Sequence, residues 1–181
     1  MIYLIRRGQT DWNLERKIQG QTDIPLNNNG KEQAKEVAKE IVDLKIDRII
    51  SSDLSRAKEK AEIINKKIGK EISFDKRLRE VNFGDYEGKL IETIKDEEWD
   101  VFNQNPEKKN GESKKKVYER VKSFLQEIDE GENVLVVTHG GALRMMLYYA
   151  KNKEKFDAVS YDEFSKDYWI SNAKIIDYKE K

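Results

Sequence analysis

A chain of 181 residues is long enough to bury a real core and short for two, and it reads as a single domain over 1–181. Lys+Arg and Asp+Glu both number 35, so no global field draws the chain to nucleic acid or an anionic membrane, and any anion binding must be local. One His and no Cys argue against a zinc site and against disulfides. Nothing approaches a membrane span, and Met1 to Ile5 is too short for a signal-peptide core, so the expected compartment is the cytoplasm.

Short apolar runs alternate with helical stretches along the chain, the pattern of an α/β fold, with no internal repeat or low-complexity linker. Ile2 to Ile5 suits a buried parallel strand and breaks off at Arg6-Arg7-Gly8. Asn29, with Glu32 three residues on, reads as a capping pair for a helix with Ala34, Val37, Ala38, Ile41 and Val42 at helical spacing, ending near Leu44. Asp47 to Ser51 reads as a second strand, and Asp53 is placed to cap a helix carrying Ala57, Ala61, Ile64 and Ile68, closed by Gly69. A third short strand is expected at Ile72 to Phe74, before the turn-rich stretch Asn82 to Gly88. Ser113 precedes an amphipathic helix with Val117, Val121, Phe124, Leu125 and Ile128 on one face. Asn133 to Thr138 is the clearest buried strand, and His139-Gly140-Gly141 leads from it into a helix with Leu143, Met146 and Leu147. One or two edge strands are expected between Tyr168 and Tyr178.

In such sheets function sits beyond the carboxyl ends of the strands, where helix N-termini also point. Three segments here end a strand in polar chemistry: Arg6 to Thr10, Ser51 to Arg56, and Thr138 to Gly141. Glycine lets the backbone approach a bound group, arginine offers a planar fork of donors to phosphate oxygens, and histidine exchanges protons near neutral pH. Taken singly, a double arginine is usually a solvated loop, an isolated His is usually structural, and Ser-Ser-Asp is commonly a cap. Their coincidence at equivalent strand ends points to an oxyanion site. No dinucleotide fingerprint or Walker A pattern competes.

These motifs together resemble the histidine phosphatase family, with its phosphoglycerate mutase-like fold, nearly end to end. The family's Arg-His-Gly motif stands here as Arg6-Arg7-Gly8-Gln9-Thr10-Asp11-Trp12-Asn13. Gly20 to Leu26 with Gly30, Ser51 to Ala57, Leu78-Arg79-Glu80 with Gly84 and Glu87-Gly88, Gly111-Glu112-Ser113, and Thr138 to Gly141 match its other segments. The resemblance implies a three-layer α/β/α domain with a mostly parallel sheet and a helical insertion at about 88–112. It also implies that Arg6, Arg56 and His139, with Gly140, hold the phosphoryl oxygens. Asn13 and Thr22 lie on the substrate side, and Glu80 protonates the leaving oxygen. No cofactor or metal is implied, and the partner is a small phosphorylated metabolite, phosphate or sulfate.

In the family the histidine of the first motif attacks phosphorus, and Arg7 occupies that position. A guanidinium stays protonated and has no lone pair ready to attack, so the covalent route is expected to be closed. Two readings stand side by side. One is a phosphomonoester hydrolase whose catalysis Arg7 abolishes or severely reduces; the other is a non-catalytic pseudophosphatase binding a phosphorylated ligand or partner. A third, carrying less weight, has His139 take over as nucleophile. The resemblance favours phosphatase over cofactor-dependent mutase, because the chain is shorter than those mutases and lacks their extra segments. Trp99 and Phe102 read either as substrate wall or as core, and Lys114-Lys115-Lys116 as an anion contact or a solvated helix face. The particular substrate and the oligomeric state are not legible from these residues.

Overall fold

The computed structural model describes residues 1–152, 156–167, 171–172 and 175–178. Four strands run parallel: β1 (Ile2–Arg6), β2 (Arg48–Ser51), β3 (Glu71–Phe74) and β4 (Val134–Thr138). A fifth, β5 (Ile175–Asp177), lies antiparallel beside β1, and the strand order is β3-β2-β4-β1-β5. Every residue of the central β4 is buried, which is why it reads as a continuous apolar run and not as an alternation.

The helices among the described residues are α1 (Asp11–Leu14), α2 (Asn28–Glu40), α3 (Ser55–Ile68), α4 (Asp96–Gln104), α5 (Lys114–Gln126), α6 (Gly140–Lys151) and α7 (Ala158–Asp167). Alternation along the strands sorts their side chains onto two faces. Leu4, Ile50, Val134 and Val136 pack with Val121 and Phe124 of α5, Leu143 and Met146 of α6, and Tyr161 of α7. Ile5, Ile49, Leu135 and Val137 face the other way, onto Val37 and Ala38 of α2 and Ala57, Ala61 and Ile64 of α3. The result is the expected three-layer α/β/α arrangement around a mostly parallel sheet.

Several boundaries differ from the sequence expectation, each for a local reason. Asn27, not Asn29, caps α2 by accepting from the Gly30 amide at 2.9 Å, while Asn29 turns its amide onto Gln9 Oε1. The α-helix stops at Glu40, and a 3-10 turn over Ile41–Asp43 leaves Val42 53% exposed, off the apolar face assigned to it. Asp53 does not cap α3: its carboxylate is held by Arg79 at 2.5 and 2.7 Å, and Ser52 Oγ accepts from the Leu54 amide instead. Ile128 lies beyond the end of α5 yet still packs on the core. One edge strand forms in the tail; part of the Tyr168 to Tyr178 stretch lies outside the described residues.

A smaller apolar cluster joins Ile18, Tyr86, Ile94 and Phe102, with Phe83 and Trp99 packed against it. Tyr86 and Phe102 meet edge-on at 5.4 Å between centroids, as do Phe83 and Trp99 at 6.0 Å. This cluster anchors α4 and the short turns around it beside the carboxyl ends of the sheet.

Candidate active site

The parallel register decides what meets at the sheet's carboxyl edge. Arg6 pairs with Thr138 and Ser51 with Val137 across β4. The ladder runs one residue further on each side, with the Arg7 amide donating to Thr138 O at 2.7 Å and the Ser52 amide to Val137 O at 2.9 Å. Ser52, His139 and Arg7 therefore stand in a row beyond β2, β4 and β1. His139, at the N-terminus of α6, is fully buried.

Its ring is committed on both sides. Arg56 Nε donates to Nδ1 at 3.3 Å, and because a guanidinium only donates, Nδ1 carries the lone pair. The proton belongs on Nε2, which donates to Ser52 Oγ at 2.9 Å. Burial first, and then the charges of Arg56, Arg7, Arg120 and Arg6, hold its pKa well below the usual histidine range, so the ring is neutral.

Arg56, the first turn of α3, is also fully buried. Its Nη1 donates to Thr22 O at 2.7 Å and its Nη2 to Gly20 O at 2.6 Å. Three of its five N–H donors are thus spent inside the protein, and the rest remain for a ligand. The loop supplying those carbonyls is gathered by Glu87, whose carboxylate accepts from Gln21 N at 2.8 Å, Thr22 N at 2.7 Å, Thr22 Oγ1 at 2.5 Å and Phe83 N at 3.0 Å. Gly20 sits at φ 52° with its missing Cβ position 1.9 Å from Glu87 Oε1, so no larger residue fits. Thr22 thereby differs from its expected substrate-side role: its hydroxyl faces Glu87 and its carbonyl braces Arg56.

Glu80 is tied to the start of α6. Its Oε1 accepts from Gly141 N at 2.9 Å, Ala142 N at 3.3 Å and Val81 N at 3.0 Å. A Cβ on Gly141 would lie 2.5 Å from that oxygen, which is why glycine stands there. Arg120 steadies the same segment, donating to Arg77 O at 2.5 Å and Glu80 O at 3.2 Å while its Nε pairs with Glu112 at 2.7 Å.

Arg7 is 4% exposed and turns its guanidinium onto Gly8 O at 2.8 Å and onto Asn13 Oδ1. Asn13 Oδ1 also accepts from the Thr10 amide at 3.1 Å, which fixes it at the start of α1. Burial, then repulsion by Arg6 and Arg56, lowers the Arg7 pKa to about 9 against the opposing pull of Glu80. Burial likewise lowers Arg6 and Arg56. Arg6 lies against the helix start, its Nε 3.3 Å from where a Gly140 Cβ would be.

These groups open onto a cleft of about 670 Å³. Arg6, Arg7, Asn13, Arg56, Glu80 and Gly140 line it, whereas His139 and Thr22 stand behind that lining. Trp99 and Phe102 are both cluster and wall, so neither sequence reading excludes the other. Lys114 reaches the cleft but is paired with Asp162 at 2.7 Å, Lys115 is exposed, and Lys116 faces Glu107 at 3.6 Å. Arg6, Arg7, Arg56 and Arg144, with Lys17, Lys114 and Lys166, outnumber Glu80, Glu112 and Asp162 in the cleft lining, and this surplus of positive charge suits an oxyanion. Among the described residues, no three His, Asp or Glu side chains are grouped to hold a metal, and no helix is long and apolar enough to cross a membrane. Sequence reasoning missed Arg120 and the bracing role of Glu87, whose functions depend on partners distant in the chain.

The chain has counterparts among known proteins. Residues 2–164 match the model of the histidine phosphatase superfamily (branch 1). A probable phosphoglycerate mutase GpmB of Escherichia coli is 42% identical over 154 residues, covering 78% of this chain and 70% of that protein. Among solved structures, Bacillus stearothermophilus YhfR superposes with a TM-score of 0.75 at 36% identity, covering 83% of this chain and 79% of that one. A phosphoglycerate mutase from Thermus thermophilus gives 0.68 at 32% identity, covering 82% and 83%. With the family model spanning most of its length and these relatives well above the level of fold likeness alone, the chain belongs to the histidine phosphatase superfamily.

Proposed function

We propose that this chain binds phosphomonoesters in the Arg6, Arg7 and Arg56 pocket and turns them over at a severely reduced rate. The observation that carries this reading is that Arg7 is buried just past the end of β1; the motif resemblance gives that position to the family's attacking histidine. With a pKa lowered only to about 9, its guanidinium remains protonated at neutral pH and cannot open a bond to phosphorus. What remains is charge: Arg6, Arg7 and Arg56 face the space a phosphoryl group would fill, and Glu80 sits at the same wall. Direct attack by water, with the leaving oxygen protonated by Glu80, is the route left open. Loss of a nucleophile leaves on the order of a thousandth or less of the normal rate.

His139 is not offered as a replacement nucleophile. Its Nδ1 lone pair is engaged by Arg56, its Nε2–H by Ser52, and the ring lies behind the cleft lining.

One observation favours the second reading, a pseudophosphatase that binds without turnover. The Arg7 guanidinium has acceptors waiting for it in Gly8 O and Asn13 Oδ1, so the pocket accommodates arginine. Hydrolysis of a panel of phosphomonoesters by this chain and by Arg7→His tests the choice. Turnover restored in Arg7→His supports a phosphatase scaffold silenced at one residue. Binding without turnover in both proteins would make the enzyme reading wrong.

A further inference from the structure

Lys60 lies one helical turn after Arg56 on α3, on the same buried face, and is itself 0% exposed. A lysine this deep normally pairs with a carboxylate. Here Nζ donates instead to two backbone carbonyls, Arg6 O at 2.9 Å and Asn172 O. The first belongs to the residue at the end of β1 from which the anion pocket begins; the second belongs to the chain just before β5. Lys60 does not line the cleft. The charged groups acting on it are Arg6 and Arg7 at the end of β1, which repel it, and Glu40 on α2, which attracts it.

We propose that Lys60 is a positioning residue and proton-linked counter-cation of the anion pocket, taking up a proton when an oxyanion binds between Arg6, Arg7 and Arg56. The inference rests on the reading of that pocket as a phosphoryl site. Burial, and then the repulsion of Arg6 and Arg7, lowers the Lys60 pKa to about 7, so at slightly alkaline pH much of it is neutral. A bound dianion offsets those two charges, and the ammonium form regains stability. By linkage, an anion that raises the Lys60 pKa must bind more tightly when Lys60 is already protonated. Affinity therefore falls as pH rises through the Lys60 pKa. Arg7 titrates at about 9 and His139 well below its usual range, so neither accounts for proton uptake between pH 7 and 8. In its charged form Lys60 also holds the Arg6 carbonyl more firmly, which keeps Arg6 and Arg7 aimed at the ligand.

Sulfate is the probe, because it does not titrate in this range. Calorimetry at pH 7.5 in two buffers of different ionisation enthalpy should show uptake of on the order of half a proton by the wild-type chain, for a rise of about one unit in the Lys60 pKa. Lys60→Met should still bind sulfate with no uptake, and Lys60→Arg should bind with affinity flat between pH 6 and 8. Over that range the wild-type affinity should fall about fivefold. Equal uptake by wild type and Lys60→Met would overturn the proposal. Should Lys60→Met fail to fold, a flat wild-type affinity profile would overturn it as well. Failure of the wild type to bind sulfate at any pH would sink the pocket reading itself, an outcome distinct from binding without proton uptake.

Discussion

Arg56 Nε donates to His139 Nδ1 at 3.3 Å, so the chain's single histidine meets its nearest cation as a hydrogen-bond acceptor. An imidazolium has no lone pair to offer there, and the pair holds together only while the ring is neutral. Because there is one histidine in the chain, its ring resonances are unambiguous in nitrogen NMR. They should report the Nε2–H tautomer and no titration between about pH 7.5 and 5.5. A midpoint near the ordinary histidine value would show that the Arg56 contact does not form.

Burial of His139 first, and then its arginine neighbours, set a direction for acid stability. The folded pKa of His139 lies below its unfolded value, so the contribution is fully present above about pH 6.5 and is lost as pH falls from there toward the folded pKa. Denaturant midpoints should therefore decline below pH 6.5 more steeply for this chain than for His139→Gln, which cannot charge. Parallel pH profiles for the two proteins would remove His139 as the source.

Gly141 leaves no space for a side chain, since its Cβ would fall 2.5 Å from Glu80 Oε1. Gly141→Ala should displace the Glu80 carboxyl from the α6 amides and destabilise the fold by about 1–3 kcal/mol. A denaturant midpoint unchanged from that of the parent chain would mean that Glu80 is free to sit elsewhere.

Glu87 gathers four donors from the Gly20–Thr22 loop and Phe83, and that loop in turn supplies two carbonyls to Arg56. Glu87→Ala should cost about 2–3 kcal/mol and weaken phosphate binding at least tenfold, although Glu87 need not touch the ligand. Calorimetric titration with inorganic phosphate reads the second effect, and an unaltered affinity would separate the loop from the pocket.

Much of this was legible in the residue order. Buried strands are short unbroken apolar runs, and β4 declared itself because both of its faces are covered. The three polar strand ends were legible too, because parallel strands bring their carboxyl ends to one edge. What failed were choices between local partners. Asn27 and Asn29 are both good caps, and both donate to Gln9 Oε1 at 3.1 Å; only the folded backbone shows that it is Asn27 Oδ1 that accepts from the Gly30 amide. Asp53 has a cap's position but finds Arg79, 26 residues away, and a charged pair outcompetes a backbone amide. The motif places Thr22 near the site, but the Glu87 carboxylate that captures its hydroxyl is 65 residues distant. Lys60 carried no signal at all, since one lysine in a lysine-rich helix reads as solvated until the helix is packed.

We infer that Arg7 closes the covalent route while leaving the anion pocket in place. Single turnover of a phosphomonoester quenched in alkaline detergent, which preserves an acid-labile phosphohistidine, and followed by peptide mass spectrometry at alkaline pH, distinguishes the two outcomes. A phosphoryl adduct is expected on residue 7 of Arg7→His, with turnover higher by on the order of a thousandfold, and no adduct on the parent chain. A phosphoryl adduct on His139 of the parent chain, formed at a rate matching Arg7→His turnover, would contradict it.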